Sequence, residues 1–168
     1  MHPVEHSSAS LPSATPSRSA GPATRVAAGR VLVIDDHPQL RTMLCTALET
    51  ADFEVVAVSS LARASAWLER AWPAVIVLDF QRAGSHGLHA VRALRARPVL
   101  DRVPLVFLAP DLGDGLRWRA VQAGADYVLP KPLSLIELQE RVSRLVRTGR
   151  PRLRLVAGRT RAAHRLAG

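Results

Sequence analysis

The chain has 168 residues, 48% of them hydrophobic, with 23 basic against 14 acidic side chains and a formal net charge of +9. That length suits one well-buried domain with appendages and is short for two ordinary ones. A single cysteine, Cys45, excludes an internal disulfide framework and fits a reducing compartment such as the cytoplasm, and no apolar run reaches the length of a membrane span.

Residues 1–29 are rich in Ser, Ala and Pro, hold one acid, Glu5, and show no apolar period, a composition that predicts a disordered segment. From Arg30 onward short apolar runs alternate with stretches of helical period, the pattern of consecutive βα units. The first strand, Val31 to Ile34, runs into Asp35-Asp36. The helix after it opens with Pro38 in its first turn, where a missing amide donor costs nothing, and its spacing lines up Leu40, Met43, Leu44, Ala47 and Leu48. Cys45, between Leu44 and Leu48, reads as a small buried apolar residue. Phe53 to Val58 reads as an edge strand, and Leu61, Ala64 and Leu68 mark the second helix. Val75 to Leu78 is apolar throughout, as expected of a central parallel strand covered on both faces, and it runs into Asp79. A loop with Gly84 and Gly87 leads to a helix through Leu88, Val91 and Leu94. Leu105 to Leu108 is the fourth strand; the following helix carries Leu116, Ala120 and Val121 and stops at Gly124, a residue suited to the position after a helix end. Tyr127 to Leu129 is the fifth strand, and Leu135, Leu138, Val142, Leu145 and Val146 form the stripe of the last helix. The pattern predicts a doubly wound α/β domain over residues 30–147, with a five-stranded parallel sheet and helices on both faces.

Arginine supplies nearly all the positive charge, because only one of the basic residues, Lys131, is a lysine. It stands between Pro130 and Pro132 directly after the fifth strand, and a compact ammonium on a thin stem suits a cramped anionic pocket better than a broad guanidinium. Parallel strands in an open sheet would gather Asp35, Asp36, Asp79 and Lys131 at one edge. Two carboxylates about 4 Å apart repel by about 4 kcal/mol at an effective dielectric near 20, so such a cluster calls for a cation or for protonation. Mg²⁺ answers this, since it takes one or two carboxylates, keeps several waters and leaves room for phosphate oxygens. Taken singly, each acid could equally cap a helix or end a strand.

The run Val31-Leu32-Val33-Ile34-Asp35-Asp36-His37-Pro38, then Val77-Leu78-Asp79 with Gly87 further on, then Gly124-Ala125-Asp126 and Lys131-Pro132, resembles the receiver domain of bacterial two-component response regulators. The resemblance spans residues 30 to 147 in order and implies a flavodoxin-like sheet with strand order 2-1-3-4-5. It implies Asp79 as phosphoacceptor, with Asp35, Asp36, Asp79 and the backbone carbonyl of Gln81 as Mg²⁺ ligands. Lys131 would pair with phosphoryl oxygens, and a cis peptide would precede Pro132. The donor would be a histidine kinase or a histidine phosphotransfer protein. Such a protein catalyses only its own phosphorylation and dephosphorylation and is not an enzyme with a separate substrate. A phosphohydrolase of the haloacid dehalogenase type would carry a second Asp two residues after the nucleophile, where Gln81 stands.

The chain departs from the family pattern at three places. Ala109 stands where the fourth strand normally ends in Thr or Ser, Val128 stands at the position of the usual aromatic, with Tyr127 one place earlier, and Ala83 replaces the usual Pro after the acceptor. Two readings therefore stay open, a phosphorylated relay protein and a docking module that ignores phosphate. His37 and His86 read as ordinary loop residues. Trp118 between Arg117 and Arg119 is either a partner-facing residue on the fourth helix or a ring folded over Val121. Residues 148–168 carry Arg150, Arg152, Arg154, Arg159, Arg161 and Arg165 and no acid. That stretch is too short for a helix-turn-helix domain, so the expectation is a stand-alone receiver acting on a downstream protein partner, with nucleic-acid binding through the basic tail as the rival.

Overall fold

The computed structural model describes residues 28–79, 85–109 and 114–150. Residues 1–27, 80–84, 110–113 and 151–168 lie outside it, and with them most of the expected disordered segment and most of the basic tail. Five parallel strands, β1 (Arg30–Asp35), β2 (Glu54–Val58), β3 (Val75–Asp79), β4 (Leu105–Ala109) and β5 (Tyr127–Pro130), form one sheet in the order β2-β1-β3-β4-β5. Helices α1 (Pro38–Thr50), α2 (Leu61–Leu68), α3 (Ser85–Arg95), α4 (Asp114–Ala123) and α5 (Leu135–Thr148) connect or follow them.

The three inner strands are apolar except at the end residues Arg30, Asp35 and Asp79, because both their faces are covered. β3 and β4 are buried throughout. On one face, Leu32, Ile34, Ile76, Leu78 and Phe107 pack against α2, α3 and α4 through Ala64, Leu88, Val91, Leu94 and Ala120. On the other, Val31, Val33, Val75, Val77 and Leu108 meet α1 and α5 through Leu44, Leu48, Leu138, Val142 and Leu145. Burying a leucine or valine of this kind contributes about 1.5–3 kcal/mol, which is why these stripes set the helix positions. β2 pairs with β1 alone among the described strands, so it is the edge strand expected from the sequence.

Local chemistry fixes the helix starts. Ser60 and Ser134 cap α2 and α5 by accepting from the amides of Arg63 and Glu137. Gly124 ends α4 with φ +111°, a conformation open to glycine. Two expectations fail. Met43 is exposed, because Leu44, Ala47 and Leu48 already fill the α1 stripe, and Cys45 is only partly buried at its shoulder, where burial pushes its thiol up. No helix among the described residues is long and apolar enough to cross a membrane.

Candidate functional site

β1 and β3 are neighbours, and their register sets Asp35 opposite Asp79 at the last rung. Both residues are 0% exposed. The turn out of β1 explains why Asp35 points inward. Its Oδ1 accepts from the His37 amide at 2.8 Å, and its backbone carbonyl accepts from Arg41 Nη1 at 2.8 Å. His37 is the cap of α1, its Nδ1 accepting from the Leu40 amide at 3.3 Å, with Pro38 following at the first helical position. Asp36 is exposed at the rim.

Lys131 reaches this pair from the end of β5. Its amide donates to the Ala109 carbonyl at 2.9 Å, the Lys131–Pro132 peptide is cis as the resemblance implies, and the side chain extends across β4. Nζ donates to Asp79 Oδ1 at 2.8 Å and lies 2.7 Å from Oδ2, at an angle that leaves Oδ2 without a hydrogen bond. Asp35 Oδ2 is likewise buried and without a donor. Loss of water raises both carboxyls above their ordinary range. The His37 amide and the Lys131 charge oppose this at Asp35, the Lys131 hydrogen bond opposes it at Asp79, and the Asp36 charge adds to the rise at both.

Two buried oxygens without donors, on adjacent carboxylates held by adjacent strands, suit a hard cation that brings its own water. Three acids in one tight cluster are not found, since among the described residues no three His, Cys, Asp or Glu side chains converge to hold a metal alone. Asp36 acts on the pair through its charge. Two carboxylates with an incomplete shell fit the demands of Mg²⁺, which keeps several waters, and not those of a metal held by an all-protein cage. Gln81 and Ala83 lie outside the described residues, as does the side chain of His86.

Ala109 and Val128 are both buried, on the same sheet face, and offer a methyl and an isopropyl group where the resemblance implies a hydroxyl and an aromatic ring. Tyr127 packs on the opposite face, as strand alternation requires, with the Arg141 guanidinium 4.8 Å from its ring centroid. Trp118 is 65% exposed, and Arg117 and Arg119 are exposed beside it on α4. A groove of about 430 Å³ lies between Asp36, Ser60, Leu61 and His89. At the opposite pole lies a cluster that sequence reading missed: Asp126 bound by Arg95 and by Arg150.

The response regulator receiver domain profile matches residues 31–143. The phosphate regulon transcriptional regulatory protein PhoB of Klebsiella pneumoniae is 32% identical over 120 residues, which cover 71% of this chain and 52% of that protein. The transcriptional regulatory protein PrrA of Mycobacterium tuberculosis is 36% identical over 124 residues, covering 74% of this chain and 52% of its own. The chain thus matches about half the length of these relatives. Among solved structures, the receiver domain of the sensor histidine kinase PA1611 of Pseudomonas aeruginosa PAO1, with magnesium coordinated in its active site cleft, is similar with a TM-score of 0.63 and 28% identity over 71% of this chain and 98% of that one. The chemotaxis response regulator CheY4 of Vibrio cholerae gives a TM-score of 0.60 at 26% identity, over 67% of this chain and 97% of that one. Strand order, the buried aspartate pair, the reaching lysine and these matches agree: the chain belongs to the response regulator receiver family of two-component signalling.

Proposed function

We propose that Asp79 accepts a phosphoryl group from the phosphohistidine of a kinase or a histidine phosphotransfer protein. The observation that carries this is the Asp79 carboxylate itself, fully buried, hydrogen-bonded to Lys131 through one oxygen, with the other ion-paired to the same ammonium but without a hydrogen bond. An Asp79 oxygen attacks the phosphorus in line, the P–N bond to the imidazole breaks, and its electron pair stays on the ring nitrogen, which is protonated as it leaves. Lys131 follows the charge from the carboxylate to the phosphoryl oxygens. Asp35 and Asp79, with Asp36 through water, would hold Mg²⁺, and the Gln81 carbonyl is a further ligand candidate. When bound, the ion supplies positive charge to the phosphoryl oxygens. The protein performs this reaction on itself and is not an enzyme with a turning-over substrate. The free cysteine accords with a cytoplasmic setting.

Output runs through protein contacts, and the exposed Trp118 between Arg117 and Arg119 gives α4 the aromatic and cationic character of a hot spot for an acidic partner surface. Ala109 and Val128 support a second reading, a docking module indifferent to phosphate, because they supply neither the hydroxyl nor the ring that the family uses. Nucleic-acid binding by the basic tail has one cation fewer than its sequence offers, since Arg150 is engaged within the fold. Treating the purified protein with acetyl phosphate and Mg²⁺ separates the first reading from the second. A mass gain is expected on the wild type and none after EDTA or with Asp79→Asn. No gain under conditions that label a control receiver overturns the proposal.

A further inference from the structure

β5 is a rod of only four residues, Tyr127–Pro130, and both of its neighbours in sequence carry charge. Lys131 follows it and reaches Asp79. Asp126 precedes it, at the opposite pole, with a side chain that is fully buried and saturated: Oδ1 accepts from Arg150 Nε at 2.6 Å, and Oδ2 accepts from Arg95 Nη2 at 2.5 Å and from the Leu105 amide at 2.9 Å. Charge-assisted bonds of this kind are strong, and a buried carboxylate stripped of one is costly to keep. Asp126 is part of the Gly124-Ala125-Asp126 motif, for which the acidic pocket has no use.

The two arginines are not equally held. Arg95 also donates to the carbonyls of Gly124, Leu100 and Val103 at 2.7, 2.7 and 2.8 Å, which locks it to the end of α4 and the turn before β4. Among the described residues Arg150 adds only Asp101, through its carbonyl at 2.7 Å and its exposed carboxylate at 3.0 Å, and its side chain is 27% exposed against 10% for Arg95. It arrives there because Gly149, at φ +69°, ends α5 and turns the chain back, its amide donating to the Leu145 carbonyl at 2.8 Å. Arg150 is therefore the releasable member, and it is the root of the basic tail.

We propose that Arg150 is a strap through which the C-terminal tail reads the state of the acidic pocket: Lys131 Nζ already touches both Asp79 oxygens, so a phosphoryl group there carries it outward, β5 follows, and Asp126 slips from Arg150 while Arg95 holds. The inference rests on Asp79 as the phosphoryl site. It supplies an output route that needs neither a hydroxyl at Ala109 nor a ring at Val128. Linkage makes the coupling reciprocal, so a chain without the strap should bind a phosphoryl mimic more tightly.

The test uses the full chain with Mg²⁺ and beryllofluoride as the mimic. Hydrogen exchange at the Gly149 and Arg150 amides should quicken by about five-fold on adding the mimic to the wild type and stay unchanged in Asp79→Asn. In Arg150→Ala both amides should exchange fast already, and half-saturation by beryllofluoride should fall by about the same factor. Arg150→Lys keeps the charge and loses the fork, so it folds even if the alanine variant does not, and it should shift half-saturation in the same direction. Binding of the mimic with no change at residues 149 and 150, or with unaltered affinity in the variants that fold, overturns the strap and leaves Asp79 as acceptor. No binding to the wild type, where a control receiver binds, overturns both.

Discussion

Asp35 and Asp79 are each shut off from water by the strands that carry them, and the consequence is a pH dependence of unusual sign. Their folded-state values stand above the ordinary carboxylate value near 3.9, so the native state favours the protonated form, and stability falls as pH climbs from about that value through the raised ones. Asp35→Asn removes one buried charge yet keeps an oxygen to accept from the His37 amide. In EDTA at neutral pH it should stabilise the fold by on the order of 1 kcal/mol, abolish the stabilisation by Mg²⁺, and flatten the wild-type loss of stability between mildly acid and neutral pH, all read from denaturant titrations. At Ala109 the missing donor can be restored. Ala109→Ser places a hydroxyl at the end of β4 with little added volume, and one new hydrogen bond should quicken labelling by acetyl phosphate by about two- to ten-fold, followed by mass spectrometry over time. The residues behind both predictions were legible in the sequence because each carries a local mark: acids at the ends of apolar runs, and one lysine in a chain of arginines. Arg95 carries no such mark. It looks like any other arginine, and its partner Asp126 stands 31 positions away.

At the level of elements, strand and helix positions followed from periodicity, and the differences have specific causes. The stripe of α1 was read one residue too wide at Met43, since Leu44 and Leu48 suffice to meet β1 and β3. The short turn Pro98–Leu100 escaped notice because three residues are too few to show a period, although Leu100 is fully buried. Gly124 shows how one element constrains another. A Cβ built there meets Arg95 Cγ at 2.5 Å, and the backbone is already at φ +111°. Gly124→Ala should destabilise the domain by about 2–3 kcal/mol, since it adds left-handed strain to displacement of the arginine that holds Asp126, and thermal or urea unfolding will measure it. The sequence carries only the first half of that cost, the helix stop; the approach of Arg95 belongs to the tertiary fold.

For the whole molecule, the packed body continues through Arg150, past the boundary expected at residue 147. A chain ending at Arg150 should match the full chain in unfolding free energy within about 0.5 kcal/mol, whereas one ending at Gly149 should lose about 1–3 kcal/mol by exposing the Asp126 carboxylate to a lost partner, as calorimetry of the two chains will show. The sequence by itself determined the layered α/β architecture, the strand order implied by the resemblance, and the aspartates and lysine of the pocket. These are written in runs of four to fourteen residues, where burial repeats with the period of a strand or a helix. Only the tertiary structure decided which oxygens of the acids lack donors, that Asp36 stands at the rim, and that one tail arginine belongs to the fold. Those facts depend on partners 24 to 52 residues apart meeting when the sheet closes, and no local period records such a meeting.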